Sequence, residues 1–460
     1  MTNRLGKLSL RRLRGWARDL RTSFWFVPLL IVLAAVGLAV GLIAAESLLP
    51  PEALDRWPLL FGAAADGSRA LLAAVAGSMI TVAGTVFSIT IVALTLASSQ
   101  YTPRVLQGFM RDRVNQTVLG VFVGIFAYCL VVLRTVRGGD GDPFVPSLAV
   151  LFALVLAIVG LVFLIIFIHH TATSIQASHI VAAVRSDTLH AIDRLFPDPD
   201  RPNDPADGVP HAACDDDAAA HPDLEPGGRT WRALLAPYSG YIQEVDIPGL
   251  IEAAEERHAV IRMEHSIGEF VIKDTPVASV LSTAVLDENF ARRLTAMYSV
   301  GDRRTQEQDV GFGIRQIVDV ALRALSPGIN DTTTATMCLD RLTEILVRLA
   351  ERNIRCRHRD DGGQIRLLTD APSFEMFVDE SLDQIRRNAE GNVVVLQHML
   401  HGLSVVTGRT VSEPRRRVLL RHARAVQEVA RRSIPAPEEC QTLDASCRRL
   451  IALLATPPKP

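Results

Sequence analysis

The sequence predicts a membrane α-helical protein with four transmembrane helices, followed by a cytoplasmic α+β region. Long apolar runs fall almost entirely before Thr171, whereas charged residues and prolines concentrate after it. The positive mean hydropathy of +0.22 therefore belongs to the first third of the chain. Crossing roughly 30 Å of hydrocarbon at about 1.5 Å per residue takes about 20 apolar residues. Several runs in the first third reach that length.

The candidate spans are residues 24–45, 70–97, 117–136 and 147–168. The first run is too long for the core of a signal peptide, so we interpret it as a retained anchor. Backbone N–H and C=O groups find no water inside a bilayer, and a helix satisfies them internally. All four runs are therefore predicted to be helices.

The distribution of basic residues predicts the orientation, because short basic loops resist translocation. The loop at 46–69 carries only Arg56 and Arg69, whereas the loop after the second helix holds Arg104, Arg111 and Arg113. The basic residues before the first helix are Arg4, Lys7, Arg11, Arg12, Arg14, Arg18 and Arg21. Both chain ends are therefore expected in the cytoplasm.

The second helix differs from the other three in carrying glycines and hydroxyl side chains along one side. At 100° per residue most of these positions fall within about 60° of one another. The candidate pore-lining or helix-packing residues are Gly77, Ser78, Thr81, Gly84, Thr85, Ser88 and Thr95. Small residues let helices approach closely; alternatively, in an oligomer, the same stripe faces a water-filled path. The sequence leaves both interpretations open.

After the fourth span the pattern changes several times. Residues 197–228 are rich in proline and acids and poor in large apolar groups, which is typical of disorder. The predicted organisation is a basic cytoplasmic arm at 1–23, a transmembrane domain at 24–169, a juxtamembrane helix at 170–196, a disordered acidic linker at 197–228, a small β-sandwich or barrel-like module at 229–285, a helical cytoplasmic domain at 286–432, and a carboxy-terminal helix and tail at 433–460.

Start and stop signals place the later helices. Asp287 is a candidate cap for a helix that runs to Tyr298, and Thr305 with Gln308 fits a capping box. Asn330 or Asp331 caps the next helix. Further helices are predicted at 373–406, 414–433 and 438–454. The hairpin of the β module holds Arg262 and Glu264 but no lysine, so no covalently attached cofactor is expected.

Several motifs resemble a known family. They are Gly77-Ser-Met-Ile-Thr-Val-Ala-Gly-Thr-Val-Phe-Ser-Ile-Thr, Ser98-Ser-Gln-Tyr-Thr-Pro-Arg, Phe109-Met-Arg-Asp-Arg, Gly301-Asp-Arg-Arg-Thr-Gln-Glu-Gln-Asp and Ala324-Leu-Ser-Pro-Gly-Ile-Asn-Asp. The chain is similar here to bacterial predicted membrane proteins catalogued as domain of unknown function 2254. The resemblance implies a shared architecture and a location in the bacterial inner membrane. It transfers no activity, substrate or catalytic residue.

A polar cluster is the strongest candidate site outside the membrane. Arginine forks and helix-start amides can together hold a phosphate or a carboxylate. The residues are Asp302, Arg303, Arg304, Asp309, Arg315, Asn330 and Asp331. A structural network of ion pairs and helix caps explains the same residues, so both interpretations stay open.

Other candidates carry weaker signals. Three histidine pairs (169/170, 258/265 and 398/401) each offer two ligands. Two ligands do not make a metal site without carboxylate or thiolate partners, so no metal site is predicted. An arginine-rich stretch from Arg415 to Arg432 is either a solvated helix face or a surface that contacts anionic lipid. The sequence lacks a phosphate-binding Gly-x-x-x-x-Gly-Lys loop, a Gly-x-Ser-x-Gly elbow and a His-Glu-x-x-His helix, so no enzyme is indicated.

Two functional hypotheses follow. The first is an oligomeric, channel-like protein with a cytoplasmic gating or assembly region. The second is a membrane-tethered sensor or scaffold that binds an anionic effector or a partner protein through the helical domain. The expected partners are the lipid bilayer, further copies of the chain, and an ion or anionic effector. With 48 Lys and Arg against 50 Asp and Glu, no nucleic acid is expected, and no cofactor is expected either.

Overall fold

A computed structural model describes most of the chain in two compact units, residues 1–176 and 177–460. The described residues are 25–47, 65–100, 112–137, 144–174, 176–196, 230–282, 287–354, 357–359, 364–369, 372–410 and 412–456. The predicted basic arm and the predicted acidic linker lie outside them.

The first unit contains four helices that are long and apolar enough to cross a membrane. Their bounds are α1 Phe26–Ser47, α2 Ala65–Gln100, α3 Arg113–Thr135 and α4 Ser147–Ser174. All four match the predicted spans, although α2 and α4 extend further. At about 1.5 Å per residue, the 36 residues of α2 exceed the thickness of the hydrocarbon.

Helix α3 lies at the centre of this unit and packs against α1, α2 and α4. Its face bearing Ile125, Tyr128 and Val132 is fully buried with Leu72 of α2 and Ala149 of α4. A second apolar layer joins Phe122 to Ala83 and Val86 of α2 and Phe167 of α4. Interior packing thus uses one side only of α2.

Polar contacts fix the helix ends within this unit. The Glu46 carboxylate accepts the backbone N–H groups of Ser147, at 2.6 Å, and Leu148, at 3.1 Å, which begin α4. The buried Tyr128 hydroxyl donates to the Ala149 carbonyl at 2.8 Å. Asp112 caps α3 by accepting from the Val114 N–H, and its other oxygen lies 2.5 Å from His170 Nε2.

The second unit mixes helices with two small sheets. Its strands are β1 Thr230–Leu235, β2 Gly240–Val245, β3 Val260–Met263, β4 Phe270–Val271, β5 Pro276–Ser282, β6 Tyr298–Gly301, β7 Arg357–Arg359 and β8 Ile365–Leu368. The strand orders are β1-β5-β3-β8-β7 and β4-β2-β6. Strands β6, β7 and β8 come from the region predicted to be purely helical. The β module is therefore not the continuous segment 229–285, because β8 returns from residue 365 to pair in parallel with β3.

The helices of this unit are α5 Ala177–Leu195, α6 Ile247–Glu256, α7 Glu288–Thr295, α8 Val310–Ala324, α9 Thr332–Ala350, α10 Phe374–Asn388, α11 Val393–Thr407, α12 Glu413–Ser433 and α13 Pro437–Ala455. Helix α5, predicted as a juxtamembrane helix, packs against α8 and α9. Arg185 pairs with Glu344, and Asp193 pairs with Arg348 and Arg352.

Three predicted helix boundaries were wrong. The helix capped by Asp287 ends at Thr295, and Tyr298 begins β6 instead. Asp309, rather than the pair Thr305 and Gln308, caps α8 by accepting from the Phe312 N–H at 2.8 Å. The single helix predicted at 373–406 is two helices, because Gly391 adopts a positive φ of 74° and Asn392 caps α11.

Candidate functional site

The glycine and hydroxyl residues of α2 form one outward surface, which we call the hydroxyl face. Every residue of the predicted stripe from Gly77 to Thr95 is exposed in the protomer. Val86 and Ala93, roughly opposite on the helix at 100° per residue, are buried, and Val86 packs with Phe122 of α3 and Phe167 of α4. The packing within one protomer therefore leaves the hydroxyl face without a neighbour among the described residues.

The glycines show the same contrast. A Cβ atom built on Gly77 or Gly84 meets nothing within 4 Å. On α3, a Cβ atom at Gly120 lies 2.9 Å from the Pro28 Cα, and one at Gly124 lies 3.4 Å from the Ala35 Cβ. Glycine thus permits close packing of α3 on α1, whereas the α2 glycines serve no contact inside the described protomer.

The hydroxyl groups of this face are satisfied by their own helix. Thr81 donates to the Gly77 carbonyl at 2.8 Å and Ser88 donates to the Gly84 carbonyl at 2.9 Å. Ser78, Thr85 and Thr95 bond the carbonyl four residues earlier in the same way. Each hydroxyl donor is occupied, so the oxygen lone pairs are what the face presents outward.

Large apolar side chains flank the hydroxyl face on both sides. Ile80 and Phe87 lie along one edge, and Ile89 and Leu96 lie along the other. Each exposes 40% or more of its surface. A narrow polar strip between two bulky apolar edges suits contact with further membrane helices.

The predicted polar cluster in the second unit is not one site. Arg304 and Asp309 lie before α8, whereas Asn330 and Asp331 lie beyond its far end, about 20 Å away along a helix of 15 residues. Arg315 is bound instead to Glu380 of α10, at 2.6 Å. The backbone carbonyl of Arg303 accepts a hydrogen bond from Gln243 at 2.7 Å.

The two halves of that cluster act as helix caps. Arg304 forms a paired contact with the buried Asp309 carboxylate, at 2.8 and 2.9 Å. Burial raises the pKa of Asp309, while the Arg304 guanidinium opposes this rise. Hydrogen bonds from Thr334 lower the pKa of Asp331, which caps α9. The contacts of Arg304, Asp309 and Asp331 are those of ion pairs and helix caps.

The arginine-rich segment was predicted as an exposed face, and this is wrong for two of its members. Arg415 is buried and donates to the carbonyls of Ala350 and Arg352, at 2.9 and 3.2 Å, near the end of α9. Arg416 is buried and donates to the carbonyls of Leu453 and Thr456, both at 2.7 Å, near the end of α13. Cations there complement the negative helix ends.

One histidine of each predicted pair (His170, His265 and His398) lies beside a single carboxylate. His398 lies 2.5 Å from Asp340, and His265 lies 3.0 Å from Glu269. Across the part of the chain that the structure describes, no group of three or more His, Cys, Asp or Glu side chains is placed to hold a metal ion.

A family model described as "Predicted membrane protein (DUF2254)" matches residues 21–404. The chain belongs to this family. The matched range contains all four candidate membrane helices and both halves of the polar cluster. It ends inside α11, so α12 and α13 lie beyond it.

Two relatives extend the similarity over nearly the whole chain. Uncharacterized proteins of Mycobacterium bovis and Mycobacterium tuberculosis are each 33% identical over 458 residues, which cover 95% of this chain and 82% of each relative. No solved structure matches the chain. The family membership therefore shows a membrane protein and brings no activity with it.

Proposed function

We propose that this protein is a homo-oligomeric channel in which the hydroxyl face of α2 lines a hydrated path for ions. The observation that carries the proposal is the outward exposure of the entire face in the protomer. Lipid tails gain nothing from hydroxyl groups or bare glycine backbone. A second copy of α2, or water enclosed by several copies, provides a better neighbour.

The shape of α2 supports an oligomer around this face. Small residues at its centre allow helices to approach, and the flanking Ile80, Phe87, Ile89 and Leu96 supply apolar contact area. The bilayer would then surround the remaining surface of the bundle. The proposal keeps the amino terminus and the second unit on the cytoplasmic side of a bacterial inner membrane, as the distribution of basic residues predicts, and assigns gating or assembly to the second unit.

The chemistry of the face favours cations over anions. Its hydroxyl donors are taken by carbonyl groups of α2, so oxygen lone pairs are available to a permeating ion. Residues 70–97 contain no Asp, Glu, Lys or Arg, so a fixed-charge relay is not part of the proposal.

Planar-bilayer recording of the purified protein tests this proposal. We expect a cation-selective conductance that Thr81→Val changes, since valine keeps the shape of threonine and removes the oxygen. Thr90→Val is the matched control, because Thr90 lies on the same helix, is half-buried away from the face and bonds the Val86 carbonyl. Absence of conductance across voltage and membrane tension, in protein that cross-linking shows to be monomeric, would exclude a channel.

The alternative of a sensor that binds its effector at the predicted polar cluster has no comparable support. Arg304 is paired with Asp309, which caps α8, and Asp331 caps α9 beyond the other end of α8. Any anionic effector of the second unit would need a different site.

A further inference from the structure

We infer that the second unit binds a phosphate group in a cavity between α10 and α12. The cavity has a volume of about 460 Å³ and is lined by three arginines and a single acidic residue, Glu375. That volume falls within the range of sites for small ligands. The inference concerns a different part of the chain from the hydroxyl face and does not depend on conductance.

The arginines hold different positions around this cavity. Arg415 is buried, and its guanidinium lies 5.1 Å from the centre of the Phe374 ring while it donates to carbonyls of α9. These contacts hold the Arg415 side chain in place at one side of the cavity. Arg417 and Arg421 are exposed on α12, about one turn apart, where their planar guanidinium groups can reach an anion in the cavity.

Arg417 is the most available cation of the three. Among the described residues, no carboxylate is bonded to it, whereas Arg421 bridges Glu375 at 2.9 Å and Asp379 at 2.5 Å. Arginine forks bind phosphate through paired, charge-assisted hydrogen bonds. A phosphate in the cavity would accept hydrogen bonds from Arg417 without displacing another group, and it would compete with Glu375 for Arg421.

The helix starts around the cavity add to its positive potential. Phe374 and Glu375 begin α10, and Pro414 and Arg415 lie in the first turn of α12, which starts at Glu413. Ser373 caps the first of these helices, but the Ser412 side chain makes no capping hydrogen bond to the second. Partial positive charge at both ends favours an anion that is already held by arginine.

Glu375 gives the inference a change that should strengthen binding. Its side chain is about half exposed and lies on Arg421, so it occupies the position that a phosphate oxygen would take. Glu375→Gln should tighten phosphate binding severalfold. Loss of folding cannot imitate this result, which separates it from general damage to the unit.

The test uses the full-length protein in nanodiscs of phosphatidylcholine, with thermal unfolding followed as inorganic phosphate or pyrophosphate is added. A ligand that binds only the folded state raises its stability. Arg417→Gln should raise the phosphate concentration needed for a given rise in unfolding temperature about tenfold or more, as expected for a lost charge-assisted contact. Arg449→Gln is the control for Arg417→Gln, and Glu439→Gln is the control for Glu375→Gln. Both control residues are exposed on α13, and each control changes the net charge by the same amount as its test variant.

A second arm replaces part of the lipid with phosphatidic acid. If only these nanodiscs stabilise the protein, and Arg417→Gln removes the effect, the phosphate comes from a lipid headgroup. If soluble phosphate acts in both kinds of nanodisc, the ligand is a soluble phosphate compound. A wild-type protein that responds to neither source, or variants that respond like their controls, would overturn the inference.

Discussion

Helices α2 and α3 of the first unit both carry glycines, yet the two helices use them in opposite ways. Gly120 and Gly124 of α3 bring the backbone of α1 into contact, whereas Gly77 and Gly84 of α2 face open space. The same residue type thus closes the protomer on one helix and leaves a surface on the other. The contrast indicates that α3 organises one chain and that α2 is available to organise several.

The largest expected effect is that of filling a glycine on α3. In Gly120→Leu the first added atom would lie 2.9 Å from the Pro28 backbone, which cannot move like a flexible side chain. Overpacking of this kind costs about 3 kcal/mol. Thermal unfolding in detergent should show a large loss of stability. A variant as stable as the wild type would contradict the close packing of α1 on α3.

Removing the Glu46 carboxylate should have the next largest effect. It is buried and accepts two backbone N–H groups at the start of α4. Hydrogen bonds to charged groups contribute about 2 kcal/mol, so Glu46→Ala should destabilise the protomer by roughly that amount. Asp66→Ala is the control, because the Asp66 side chain is almost fully exposed, and its unfolding temperature should not change.

Tyr128→Phe should have a smaller effect on the same packed interior. The substitution keeps the ring in its buried position and removes one hydrogen bond to the Ala149 carbonyl. A neutral hydrogen bond contributes about 1 kcal/mol. The unfolding temperature should fall by less than in Glu46→Ala. If Tyr128→Phe lowers it more, the contact between Glu46 of α1 and the start of α4 is contradicted.

Filling a glycine on α2 should leave the protomer unchanged. A Cβ atom at Gly84 meets no atom within 4 Å and points into open space, so Gly84→Leu should match the wild type in thermal unfolding of the isolated protomer. In the proposed oligomer the same change blocks helix contact or the ion path. Chemical cross-linking and conductance should therefore be lost. Equal cross-linking in both proteins would place the subunit contact elsewhere.

Much of the first unit was predictable because a bilayer imposes simple rules on the length and polarity of the helices that cross it. Four long apolar runs predicted four helices, and the 100° periodicity of α2 predicted a single stripe from Gly77 to Thr95. The role of Glu46 was not predictable, because it was assigned to a loop, and its partners at Ser147 and Leu148 lie about 100 residues later.

The second unit was harder to predict because its contacts join distant segments. Strand β8 pairs with β3 across about a hundred residues, and nothing in the alternation of either strand reveals that pairing. The polar residues from Asp302 to Asp331 looked like one cluster because they are close in sequence. Helix α8 separates them, and each group satisfies a helix end instead.

The sequence by itself determined that the first third of this chain forms helices long and apolar enough to cross a membrane, since each run must satisfy its own backbone groups in hydrocarbon. It also determined which residues share a side of α2, because helical periodicity depends on local geometry alone. Only the tertiary structure decided that this side faces outward and that Arg415 and Arg416 are buried caps. Those outcomes depend on which surfaces the other helices cover, and that is a property of packing between residues far apart in the chain.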